Sequence, residues 1–384
     1  MENTHIASHK AKVRKLLNPF KQKRNISTTQ PCNNMSKTRC DSSIWYGDDM
    51  AEQQSQWLFT LSDAELDELL QVADQVVASS KSEKFLSLDL IENVDKFHLP
   101  LIKAKIAKFT DQLQNGIGFV LWRGIPVEKW SRMQTFAAFL VIGKCMGNLR
   151  QQNVKGHVLG HVRDLGLSST DPKIRVYQTN ERQTFHTDSC DVVALLCLKK
   201  AKSGGLSSLV SSGTIYNEML KINPELLEHL LQPLAFDKRG EVAEGDLPFY
   251  MMPVFSEHDG FLSAFYQRQY IDSAQRFPDA PRLTDSKIAA LDLFDDLANK
   301  LNFEMELQPG DVQFVHNHSL LHDRTAFTDW DEPERKRHLL RMWIATPNAR
   351  PLPSVFSQRF GSVTVGFRGG LDNFGITAVA PLYV

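Results

Sequence analysis

Hydrophobic positions along the chain change period several times, and each change marks an element. Leu66, Leu69, Leu70, Ala73, Val76 and Val77 recur at helical spacing behind Ser62 and Glu65, whose separation is that of an N-terminal capping box. A second helix is predicted over about 100–113, stopped by Asn115-Gly116. The period then shortens. Phe119-Val120-Leu121-Trp122, closed by Arg123-Gly124, reads as a strand entering a buried sheet. Val192 to Leu198 is another apolar run, and Gly204-Gly205 marks a turn before Leu209-Val210. Asn223-Pro224 opens a helix, with Asn as cap and Pro at the first helical position. An amphipathic helix is predicted from about Asp285 to Lys300. Phe303, Met305 and Leu307 alternate with polar residues up to a turn at Pro309-Gly310-Asp311. Val312 and Phe314 alternate beyond it, and Leu339 to Ile344 is a further apolar strand. Strands with mixed connections and long helical insertions predict an α+β protein around a β-barrel or jelly-roll core. No repeat and no domain break is visible after residue 50.

Composition narrows the picture. The chain has 384 residues, 42% hydrophobic and 23% charged, enough to bury a core. That length suggests two or three domains at roughly 150 residues each, but β-barrel enzymes often use 200–250 residues as one. Lys+Arg is 44 and Asp+Glu is 45, which argues against nucleic-acid or membrane partners. No apolar run reaches the roughly 18–20 residues of a membrane span. Five scattered cysteines suit a reducing compartment better than a secreted disulfide framework. Residues 1–45 stand apart: Lys10, Lys12, Arg14, Lys15, Lys21, Lys23 and Arg24 crowd together, and no acid occurs between Glu2 and Asp41. This reads as a disordered basic tail on a cytoplasmic protein, or as a mitochondrial transit peptide. Residues 46–384 are expected to form a single domain.

Three centres carry candidate chemistry. His186-Thr187-Asp188, if extended, sends an imidazole and a carboxylate to one face, where both reach one cation. His316-Asn317-His318-Ser319-Leu320-Leu321-His322-Asp323-Arg324 follows the 303–315 strand pair, placing it at a strand end where loops carry function. One imidazole from this segment completes two histidines and one carboxylate with open positions, the arrangement of non-haem Fe(II) oxygenases. A zinc-dependent hydrolase using the same triad is the alternative. Arg337 and Arg341 share a strand face with Leu339 and Trp343, which is costly without an anionic partner. An arginine about 15 residues beyond a ligand histidine suits a dicarboxylate cosubstrate chelating the metal at one end. A hydrolase does not require that arginine.

Phe185-His186-Thr187-Asp188, Gly204-Gly205-Leu206-Ser207-Ser208-Leu209, His322-Asp323-Arg324-Thr325-Ala326-Phe327 and Arg337-His338-Leu339-Leu340-Arg341 together resemble the taurine dioxygenase and clavaminate synthase-like family. The likeness covers about residues 100–350. It implies a double-stranded β-helix with flanking and inserted helices, and Fe(II), 2-oxoglutarate and O2 as reactants. It implies oxidation, most simply hydroxylation, of a small organic molecule, with succinate and CO2 released. His186, Asp188 and His322 are then the implied iron ligands. His322 is preferred to His316 and His318 because it opens the His-x-Arg-Thr-x-Phe pattern. Arg337 is the implied partner of the distal 2-oxoglutarate carboxylate. The family's threonine after the Gly-Gly turn corresponds to Ser208, with one extra residue in the turn and Ser207 as the fallback. Arg341 matches a position that binds an anionic substrate group in some relatives. The carboxylate ligand is Asp, as in the taurine dioxygenase branch, and not Glu.

Other residues have plainer expectations. Cys190 and Cys197 read as small buried hydrophobes. His157 and His161, four apart, are able to share a helical face. Arg268 reads as a solvated strand charge, with contact to an anionic substrate as the alternative. Tyr177 and Asn180 read as a packed Tyr and a turn Asn, with a place in the pocket lining as the alternative.

Overall fold

The structure is a computed structural model, and it describes residues 38–169, 174–242, 245–371 and 375–384. Residues 1–37, most of the expected tail, lie outside the described residues. The end of that segment is packed. Arg39 N donates to Asn217 Oδ1 at 2.8 Å, and Trp45 is buried with its Nε1 donating to Ile117 O at 2.8 Å. The packed region therefore starts before residue 46, because a tryptophan between two polar stretches finds the core. Among the described residues, no helix is long and apolar enough to cross a membrane.

Strand β1 (Leu58–Thr60) leads into helix α1 (Asp63–Ser79), whose Ser62–Glu65 capping box forms as the sequence predicts. Helix α2 (Pro100–Asn115) runs to strand β2 (Phe119–Arg123). Helix α3 (Arg132–Met146) follows; it is buried around most of its circumference, so it shows no amphipathic period and sequence pattern does not reveal it. Strands β3 (Asn148–Arg150), β4 (Leu159–Val162), β5 (Gln183–His186), β6 (Val192–Lys199) and β7 (Ser207–Ser211) come next. Helices α4 (Ser212–Ile222) and α5 (Pro224–Leu230) are separated by Asn223, whose side chain caps α5. Helix α6 (Arg268–Ala274), helix α7 (Asp285–Leu301) and strands β8 (Phe303–Met305), β9 (Val312–His316), β10 (Leu320–Arg324) and β11 (His338–Ala345) complete the core.

Two sheets face each other. The larger has the order β1-β2-β9-β6-β11, with β3 and β4 both pairing along the outer edge of β11. The smaller has the order β8-β7-β10-β5 and is antiparallel throughout. This is the jelly-roll core expected from the sequence. Strand alternation sorts the apolar residues into layers. Val192, Ala194, Leu196, Leu340, Met342 and Ile344 pack against α1–α3 on the outer face of the larger sheet. Val193, Cys197, Leu339 and Trp343 point between the sheets with Phe119 and Leu209. Val210 and Leu321 turn the other way, onto α4, α5 and α7. The space between the sheets is apolar around Trp45, Trp57 and Phe119 and polar around β5, β10 and the start of β11.

Two local expectations are corrected. His157 and His161 are not on a helix: His161 is on β4, its Nδ1 2.9 Å from His338 Nε2 and its Nε2 3.0 Å from Pro381 O. Arg268 begins α6 and pairs with Asp272, Asp292 and Asp295, so it is a helix-linking charge and not a solvated strand residue.

Candidate metal centre and cosubstrate cavity

His322 lies within β10 and not in a loop after a strand. The register sets it opposite His186 of β5, with ring centroids 4.1 Å apart. Asp188 follows two residues on. The segment between is pinned by Thr187, whose N donates to Tyr266 O at 2.9 Å and whose Oγ1 accepts from Tyr266 N at 3.0 Å. His186, Asp188 and His322 thereby each offer a ligand atom, all within 4.8 Å of one another, and all three residues are buried.

The protonation states suit a cation. His186 Nδ1 donates to Thr184 O at 2.8 Å, which leaves the lone pair on Nε2. Burial lowers the His186 pKa, and burial together with the His186 ring lowers that of His322 to about 3. Burial pushes Asp188 up, but Arg341, His322, His186 and the Trp343 N–H outweigh it and hold the carboxyl at about 2. Two neutral imidazoles and one carboxylate are what a divalent metal requires at neutral pH. Gln183 Nε2 lies 2.9 Å from His186 Nε2, so this amide must swing aside for that nitrogen to bind a metal.

The neighbours of Asp188 were only partly visible in sequence. Trp343 Nε1 donates to Asp188 Oδ2 at 2.9 Å, and Arg341 Nη1 lies 3.2–3.3 Å from both its oxygens. Arg341 Nε also donates to Gln152 Oε1 at 2.8 Å. Arg341, expected to meet a substrate anion, thus has Nη1 engaged on the Asp188 carboxylate and Nε on the Gln152 amide oxygen. His316 and His318 are not part of the cluster. His316 Nδ1 is 2.8 Å from Ser319 Oγ, and His318 Nε2 is 2.9 Å from Asp191 Oδ1. Asp191 also accepts from Arg368 Nε at 2.7 Å and Thr346 N at 3.1 Å, so these histidines brace the turn that precedes β10.

A cavity extends behind the cluster between the sheets. His322, Arg324, Ser207, Leu195, Arg337 and Tyr177 are among its lining. Arg337 is 4% exposed; its Nη2 reaches only Gly205 O at 3.3 Å, and its Nη1 is buried without a hydrogen-bond partner. Arg324, two residues beyond His322 and on the same strand face, has Nε and Nη1 buried and unpartnered. The two guanidiniums lie 5.2 and 4.8 Å from the Phe327 ring. Burial lowers Arg337 to about 10, and burial and Arg337 lower Arg324 to about 9. Orphaned guanidinium nitrogens of this kind call for a bound carboxylate. Sequence reasoning gave Arg324 no role, although its spacing from His322 already placed both on one face.

Ser208 does not face this cavity. It pairs in register with Asp323, and its buried hydroxyl lies on the Asp323 side of the sheet. Ser207, opposite Arg324, lines the cavity and donates to Gln313 Oε1 at 2.9 Å. Of the two hydroxyls offered by the sequence, the one that lines the cavity is therefore that of Ser207.

A jelly roll whose facing strands converge two imidazoles, one carboxylate and a buried arginine pair defines the class of non-haem iron, 2-oxoglutarate-dependent oxygenases. Residues 88–343 match the family described as taurine catabolism dioxygenase TauD, TfdA family, and the chain belongs to that family. It is 34% identical to the FR-33289 synthase of Streptomyces rubellomurinus (strain ATCC 31215) over 319 residues, 81% of this chain and 91% of that protein. It is 29% identical to the taurine hydroxylase-like protein SAT17 of Stachybotrys chartarum (strain CBS 109288 / IBT 7711) over 263 residues, 65% of this chain and 66% of that protein. Among solved structures it is similar to an asparagine oxygenase, with a TM-score of 0.59 at 15% identity, covering 75% of this chain and 93% of that one. The protein is therefore a dioxygenase of this family, and the hydrolase alternative falls away.

Proposed function

We propose that His186, Asp188 and His322 hold Fe(II), and that Arg337, with Arg324 and Ser207 beside it, holds the distal carboxylate of 2-oxoglutarate. One observation carries the reading. Three ligand atoms lie within 4.8 Å of one another, and the adjoining cavity contains two buried guanidiniums with unpartnered nitrogens. When bound, the iron activates O2 so that 2-oxoglutarate is converted to succinate and CO2 and the substrate is oxidised, most simply hydroxylated. The chain's own residues do the positioning. Thr184 fixes the His186 tautomer, Trp343 and Arg341 orient Asp188, and Phe327 supports both cavity arginines. Leu195, Leu307 and Leu339 form an apolar wall that keeps water from the cosubstrate. We assign the chain from Arg39 onward to one oxygenase domain and the enzyme to the cytoplasm; mitochondrial import of a fluorescent fusion of residues 1–45 overturns the second assignment.

The test is succinate release from 2-oxoglutarate by anaerobically reconstituted enzyme, with and without O2. Release must require Fe(II) and O2 and be lost in His322→Ala. Calorimetric binding of 2-oxoglutarate under argon provides a second readout. Metal-dependent activity that is indifferent to Arg337→Ala defeats the proposal.

A further inference from the structure

A second cavity opens on the other side of the ligand cluster. At one end it is lined by His186, Asp188, Arg341 and Trp343, and at the other by Arg175, Arg239, Arg359, Tyr250 and Tyr270. Five arginines line this space, and their partners sort them. Arg268 is matched by Asp272, Asp292 and Asp295, and Arg341 by Asp188. Arg175, Arg239 and Arg359 remain. Glu241 is shared between Arg175, in direct contact, and Arg359, whose Nη1 is 3.6 Å away. Arg239 meets no acid among the described residues: Nη2 donates to Ile174 O at 3.1 Å, Nη1 lies 3.5 Å from Ser273 Oγ, and Nε is buried without a partner. Among the described residues, three guanidinium charges against one carboxylate leave an excess of two.

The backbone commits to this arrangement. Arg239 has φ 53° and is followed by Gly240 at φ 82°, so a bulky side chain occupies a left-handed position that favours Gly or Asn. The turn is held by Asp237 Oδ1, which accepts from Arg239 N at 2.8 Å. Its effect is to lay the Arg239 guanidinium 5.5 Å from the centre of the Tyr270 ring, at the cavity wall. Arg359 approaches from the opposite side, its Nε donating at 2.8 Å to Ser189 Oγ, the residue after Asp188.

We infer that the substrate carries a dianionic phosphoryl head, as a phosphate monoester or a phosphonate, bound by Arg175, Arg239 and Arg359 while its oxidisable carbon faces the His186–Asp188–His322 end. The inference rests on the oxygenase reading above and names the substrate class of that site. A carboxylate or sulfonate neutralises one charge and leaves the other buried and unmatched. A doubly charged phosphoryl group matches both and offers three acceptor oxygens to forked donors.

The experiment titrates enzyme loaded with Fe(II) and 2-oxoglutarate, under argon at about pH 8, with phenylphosphonate, benzenesulfonate and benzoate. Phenylphosphonate is expected to bind at least about tenfold more tightly than either monoanion. Arg239→Asn keeps a residue suited to the left-handed turn and removes the charge. It and Arg359→Gln should each weaken phenylphosphonate by about 10–100-fold, with 2-oxoglutarate affinity within about twofold of the parent. Arg239→Lys, retaining charge, should recover part of the loss. Succinate release stimulated by alkyl phosphates or by alkylphosphonates then tells the two sources apart. Equal binding of the three probes, or unaltered phenylphosphonate binding in Arg239→Asn and Arg359→Gln, overturns the inference. Failure of 2-oxoglutarate itself to bind defeats the oxygenase reading instead.

Discussion

Replacing Arg337 with Met separates the cost of this residue from its use. In the structure its guanidinium is buried, with one weak contact to Gly205 O and an unpartnered Nη1. Burial lowers its pKa from the usual guanidinium range to about 10; at 1.36 kcal/mol per unit, holding the charge there costs on the order of 3 kcal/mol. Met fills much of the same volume without that cost. The ligand-free variant should therefore be no less stable than the parent, and up to a few degrees higher in Tm at roughly 2 °C per kcal/mol. Affinity for 2-oxoglutarate should move the other way. Losing one charged hydrogen-bonded contact costs on the order of 2–5 kcal/mol, and the surviving Arg324 places the loss near the lower end. About 2–3 kcal/mol corresponds to roughly 30–150-fold weaker binding. Thermal unfolding with and without 2-oxoglutarate, on the Fe(II) protein under argon, reads both effects. At a hundred times Kd the parent gains about 2.7 kcal/mol, a shift of several degrees that the variant should lack. A variant that keeps its 2-oxoglutarate shift, or whose ligand-free Tm drops as for a core cavity, refutes the assignment of Arg337.

Four other outcomes follow from the same geometry. Trp343→Phe removes the N–H that orients Asp188 and should weaken Fe(II) by about 10–100-fold, measured by competition with a metal-binding dye; unaltered affinity counts against the role given to Trp343. Gly205→Ala places a methyl 2.8 Å from Arg337 Nε at a residue with φ +70°. It should raise the KM for 2-oxoglutarate while leaving Fe(II) affinity intact, and equal loss of both would show a wider collapse. Arg324→Met should weaken 2-oxoglutarate by about tenfold or more and raise the pKa of the remaining cavity arginine, whereas indifference to the substitution limits Arg324 to packing. His161 and His338 are lowered by burial to about 4 and about 3. The unfolded chain takes up these protons first, so stability should fall as the pH drops below about 6.5, by about 2 kcal/mol per imidazole at pH 5. Urea midpoints at pH 7 and pH 5 test this, and His338→Phe should flatten the difference.

Strand parity explains both what the sequence disclosed and where it misled. Leu339, Arg341 and Trp343 face inward because they alternate along the eight-residue β11, and the face shared with Arg337 was legible from spacing alone. The same rule places Arg324 beside His322, a consequence open to the sequence once His322 is assigned to a strand instead of a loop. Ser207 and Ser208 differ by one step of parity, so only one of the two hydroxyls meets the cavity. Only the pairing of Ser207 with Arg324 settles that register. Helix α3 was hidden for the opposite reason: burial on most sides erases the period that reveals a helix.

The excess positive charge on the substrate side belongs to a third category. Arg175 precedes a short helical turn, Arg239 sits in a left-handed turn, and Arg359 lies on a four-residue helix beyond the 100–350 span of the family motifs. No periodicity relates these positions, because loops have none, and none of the three stands near a metal ligand in sequence. They meet because β5, the hairpin formed by Leu234–Asp237 and Phe249–Met252, and the segment after β11 all return to one end of the jelly roll. On the proposed reading, the barrel strands supply the oxidising centre at a fixed spacing, and loops free of that spacing supply the recognition of what is oxidised. Substrate choice in such a chain is therefore expected to change through residues 174–176, 237–241 and 354–360 without disturbing the strand positions proposed to hold iron and 2-oxoglutarate.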